Sequence, residues 1–89
     1  MLFHISYDLN KPGQNYPELY DKIKKLASEW CHPVDSTWFI ETTYSATEVR
    51  DAIVAVIDSS DSIIVTKASA PGAWKGLGKE ASQWLQDHL

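Results

Sequence analysis

The sequence has little cysteine, no long apolar run and no excess of positive charge, and each shortage removes a class of protein. The single Cys31 cannot close an intramolecular disulfide, and the chain enters a strand-like run at Leu2 without a basic and apolar leader, the usage of a cytoplasmic protein. The longest unbroken apolar stretch, Ala52 to Ile57, is far short of the roughly 20 residues that cross a bilayer, so no membrane span is expected. Lys and Arg number 8 against 12 Asp and Glu, a net charge of -4, so the surface lacks the field that supplies most non-specific affinity for nucleic acid. Glycine is also sparse, and three of the 4 gather in the Pro71-containing stretch 69–78. What is present is an ordinary globular composition, 44% hydrophobic, with 4 Trp, 4 Tyr and 2 Phe in 89 residues. That length holds one domain, 1–89, whose small core relies on aromatics or on a partner subunit.

The order of elements follows from periodicity. Leu2 to Leu9 alternates Phe3, Ile5 and Tyr7 with His4, Ser6 and Asp8, the pattern of a half-buried strand. Asn10 to Asn15 reads as a loop, and Asn15 with Glu18 resembles a capping box that opens a helix carrying Tyr16, Leu19, Tyr20, Ile23, Leu26 and Trp30. Pro33 limits Cys31 to Asp35 to a short edge strand, and Thr37 to Tyr44 reads as a full one. Ser45 and Glu48 cap a second helix through Val49, Ala52, Ile53, Val56 and Ile57; a polar turn follows at 59–62, then a β-branched strand from Ile63 to Ala68. The segment 69–89 is an irregular excursion and a last helix, expected to pack on the domain or on a partner. The order βαββαβ plus a C-terminal helix predicts an α+β ferredoxin-like sandwich, an antiparallel four-stranded sheet with two helices on one face.

Tyr7-Asp8 at the end of the first strand, then Ser36-Thr37-Trp38-Phe39-Ile40-Glu41, then a capped helix leading into Ser62-Ile63-Ile64-Val65, resemble in order and spacing the small CRISPR-associated ferredoxin-like family that works beside the integrase in spacer acquisition. Related virulence-associated toxin ribonucleases, and uncharacterised bacterial relatives of the family, share the plan. Tyr7, Ser36 and Phe39 match the family's strand motifs. The resemblance implies a homodimer in which two copies of Asp8 face each other near the two-fold axis and hold Mg²⁺ or Mn²⁺, making Asp8 both the catalytic and the metal-binding residue of a nuclease. Where the family commonly has an arginine in the loop after the aspartate, this chain offers Lys11, and a helix replaces the family's fifth strand.

Read from the residues alone, each feature has a plainer account. Asp8 would serve as a strand-end cap, and Ser36 and Thr37 as hydroxyls satisfied by backbone. Cys31-His32 lacks the ligands of a zinc site, and Gly72 to Gly78 lacks the order of a phosphate loop. The four Trp would close a core or an interface. Nucleic-acid contact would draw on Lys11, Lys22, Lys24 and Lys25, which otherwise form a solvated helix face. Two functions are therefore expected to compete: a metal-dependent nucleic-acid-processing homodimer, including a toxin-type ribonuclease, and a non-catalytic ferredoxin-like module that binds an unidentified protein partner.

Overall fold

A computed structural model describes residues 1–10 and 16–89. The chain is α+β: β1 (Leu2–Asp8), α1 (Tyr16–Leu26), β2 (Glu29–Val34), β3 (Thr37–Glu41), α2 (Ala46–Val54), β4 (Ser62–Lys67) and α3 (Lys79–His88). The strands form one antiparallel sheet in the order β2-β3-β1-β4, compatible with the ferredoxin-like expectation. No helix among the described residues is long and apolar enough to cross a membrane.

Alternation along β1 and β3 sorts the side chains. Phe3, Ile5, Tyr7, Trp38 and Ile40 point to one face and form the core with Leu19 and Ile23 of α1 and Val49 and Ile53 of α2, each a one-turn pair. Ile5, Trp38, Ile40, Ile23, Val49 and Ile53 are fully buried. The opposite, open face carries His4, Ser6, Asp8, Cys31, Phe39, Ser62, Ile64 and Thr66 by the same alternation.

Several boundaries differ from the sequence pattern. Trp30 continues the four-residue spacing of α1 but lies on β2, because the helix stops at Leu26 and Ser28 N donates to the Glu41 carbonyl at 2.8 Å, drawing the chain into strand pairing. Trp30 then rests 5.3 Å from Trp38, centroid to centroid. β2 is the expected edge strand, and its register with β3 shifts between Cys31 and Val34, around Pro33, which has no N–H to give the ladder. Ser36 is not a strand start: it sits in the β2–β3 turn at φ 64, a left-handed conformation that serine adopts at a cost. β3 ends at Glu41 and not Tyr44, since the Thr42 hydroxyl donates to the Leu26 carbonyl (2.8 Å) and accepts from Tyr44 N (3.2 Å), turning the chain toward α2. The Ser45–Glu48 capping box is present in full. Its helix ends at Val54, but Val56 and Ile57 still pack on the core from the turn beyond. The Asn15 cap lies outside the described residues.

The segment after β4 returns over its own chain. α3 lies against β2, with Leu85 buried and His88 Nε2 2.7 Å from Glu29 Oε2, and Trp74 donates to the Ser82 hydroxyl at 3.0 Å. His4 of β1, Phe39 of β3 and Thr66 of β4 bound one groove with Trp74, Leu85 and Leu89, so this end of the open face lies beside the C-terminal segment, while α3 itself packs on β2.

Candidate functional site

The residues that carry the family resemblance are partly explained by folding. Tyr7 is buried; its hydroxyl accepts the Trp38 indole N–H at 3.1 Å, and its backbone N donates to the Ser36 carbonyl at 3.1 Å. Burial pushes the phenol up to about 12, partly offset by the Trp38 hydrogen bond, so Tyr7 is a neutral structural group at physiological pH. Tyr7 of β1 and Ser36 of the β2–β3 turn thus meet through one backbone hydrogen bond. Phe39 points away from both, to the open face, with its ring 5.1 Å from His4.

Asp8 stands exposed at the end of β1, opposite Ser62. A short polar network ties this end of the sheet together: Asn10 N donates to Asp61 Oδ1 (2.9 Å) and its amide to the Ser60 carbonyl, while Asp58 N donates to Asp61 Oδ2 (2.8 Å). Among the described residues no group of three or more His, Cys, Asp or Glu is arranged to hold a metal ion. Mg²⁺ takes about six oxygen ligands and keeps several of them as water, so Asp8 of one chain supplies a single ligand that a second copy or a bound phosphate would supplement.

Lys22, Lys24 and Lys25 do not gather around Asp8: they ride on α1, which packs on the core face, whereas alternation turns Asp8 to the open face. Lys22 and Lys25 line a shallow notch with the acids Glu18 and Asp21, and Lys24 Nζ sits 4.8 Å over the Trp30 ring, a cation–π contact with a side chain of β2. Lys11 lies outside the described residues.

Two features escaped sequence reasoning. One is the stack built on Trp38: the His32 ring lies parallel to it at 4.0 Å, and Tyr20 meets both edge-on at 5.1 and 5.3 Å. His32 Nε2 is buried without a hydrogen-bond partner, and burial holds the imidazole below its ordinary value, so it is neutral at pH 7. The other is Ile64, 60% exposed on the open face between Ser6, Ser62 and Thr66. A run of four β-branched residues, Ile63 to Thr66, conceals which of its apolar members faces water, so its composition gave no warning. A groove of about 620 Å³ also separates α3 from β2, bounded by Trp30, His32, Lys79, Glu80 and Trp84, with the buried Cys31 thiol pushed up by desolvation.

No protein-family model, curated protein or solved structure matches this chain.

Proposed function

We propose that the protein works by binding, as a non-catalytic ferredoxin-like interaction module that acts as a homodimer. The separation of Asp8 from Lys22, Lys24 and Lys25 by the thickness of the sheet carries this reading. Phosphoryl transfer requires metal ligands and positive groups converging on one point, since both must meet the charge that develops there. Here Asp8 and the three lysines of α1 face opposite ways on an acidic molecule. Binding needs only surface, and the end of the open face around Ser6, Asp8 and Ser62 offers the exposed Ile64 in a polar frame.

Metal-dependent nucleic-acid processing through paired Asp8 residues is the competing reading, favoured by the exposure of Asp8 at that same end of the open face. Labelled single- and double-stranded RNA and DNA, incubated with wild type and Asp8→Ala in Mg²⁺, Mn²⁺ or EDTA, separate the two. The module reading expects no cleavage that depends on both metal and Asp8. Metal-dependent cleavage lost in Asp8→Ala overturns it and makes the protein a nuclease.

A further inference from the structure

The two edges of the sheet are built differently. β2 is blunted by Pro33 and by the register shift between Cys31 and Val34, both of which spoil a ladder. β4, Ser62-Ile63-Ile64-Val65-Thr66-Lys67, has neither proline nor irregularity in its pairing with β1. Ala68 N donates to the Leu2 carbonyl at 2.9 Å, so by antiparallel alternation the even positions 62 to 68 exchange hydrogen bonds with β1. The N–H and C=O of Ile63, Val65 and Lys67 therefore point out of the sheet.

We propose that this edge pairs with the β4 edge of a second copy of the chain, antiparallel about a two-fold axis through Ile64, joining two four-stranded sheets into one of eight. The inference rests on the homodimeric reading above and gives it an interface and a register. A slip by one residue would set the core face of one copy beside the open face of the other, so only registers that keep the faces together qualify. Among these, pairing through Ile63 or through Val65 leaves Lys67 opposite Ser59 or Ile63. Pairing through Ile64 sets Lys67 opposite Asp61, Thr66 opposite Ser62 and Val65 opposite Ile63, each twice, with Ile64 on Ile64 at the axis. Asp61 is fixed at the head of the strand by hydrogen bonds from Asn10 N and Asp58 N. The outward pair Ile63–Val65 supplies the ladder hydrogen bonds, and the close, non-hydrogen-bonded pair at the axis covers the exposed isoleucine. Opposite charges, matched hydroxyls and matched apolar residues in one seven-residue run make the second copy the fitting occupant.

Light scattering of the full chain, wild type and Val65→Pro, tests the edge, because position 65 gives its N–H to the partner and not to β1. The wild type is expected to be a dimer and Val65→Pro a monomer with unchanged far-UV circular dichroism. Register is read by oxidative cross-linking: in Ile64→Cys the two α-carbons lie about 4.5 Å apart and a covalent dimer forms, whereas Thr66→Cys sets its thiols about 14 Å apart along the strands and does not link. A monomeric wild type at hundreds of micromolar overturns this pairing and the homodimer together, leaving the edge to a foreign strand. A dimer that Ile64→Cys fails to link, or links no better than Thr66→Cys, overturns the β4 pairing alone. If Val65→Pro does not fold, the two cysteine variants decide.

Discussion

At the scale of single residues, the buried polar groups set the sharpest expectations. The Trp38 indole N–H has the Tyr7 hydroxyl as its acceptor, so Tyr7→Phe strands a buried donor. That costs about 1–3 kcal/mol, and at roughly 4–8 °C per kcal/mol for a domain of this size thermal melting reports it readily. The two histidines that β2 touches respond to pH in opposite senses. Burial lowers His32, with Asp35 raising and Lys24 lowering it further, so its folded pKa lies below the ordinary 6.5 and stability falls as pH drops through that unfolded value. Burial also works to lower His88, but the hydrogen bonds to Glu29 and the Trp84 carbonyl, with the charges of Glu29 and Asp87, raise it overall. Its contribution is present in full below 6.5 and is lost as pH rises through the raised value. Ring-proton titration by NMR should place the His32 midpoint below 6.5 and the His88 midpoint above it. His88→Gln should lose about 0.5–1 kcal/mol near pH 6, the range of a partly exposed ion pair, and little near pH 8.

At the scale of elements, what the sequence disclosed and what it hid divide by the range of the interaction responsible. The Ser45–Glu48 box, the alternation of β1 and the one-turn pairs Leu19/Ile23 and Val49/Ile53 are local patterns, and each element formed where its pattern lay. Trp30 was misplaced because its spacing from Leu26 is helical while the contacts that decide its fate, Ser28 on Glu41 and Trp30 on Trp38, come from a strand ten residues later. The separation of Asp8 from the lysines was equally hidden, since it depends on which face of the sheet α1 covers. The C-terminal segment is the element whose placement most changes the surface. Cys31 lies on the open face under α3, so its burial depends on the packing of Leu85. Leu85→Ala should destabilise the chain by about 2–5 kcal/mol if the site does not collapse. It should also raise the rate at which Cys31 reacts with a thiol reagent under native conditions, compared with wild type. A thiol that reacts as fast in the wild type would show that α3 does not cover it.

At the scale of the whole molecule, 89 residues bury too small a share of their surface for stability to come from one core with a wide margin. Ile64 and the free β4 edge are then both a liability and a resource: exposed, they invite unspecific strand pairing, and covered by a second copy they add apolar burial and ladder hydrogen bonds. Association that only the folded chain can make must appear as concentration-dependent stability, because mass action draws the equilibrium toward the associated state. For a dimer that dissociates on unfolding, a hundredfold rise in protein concentration adds half of RT ln 100, roughly 1.4 kcal/mol per chain. This corresponds to a Tm higher by roughly 5–10 °C in a domain of this length. The wild type, melted at low and high micromolar concentration, should show that rise, and Val65→Pro should melt at one temperature at both. A wild-type Tm indifferent to concentration would mean that the folded unit is the single chain, with Ile64 left to water or to a different partner.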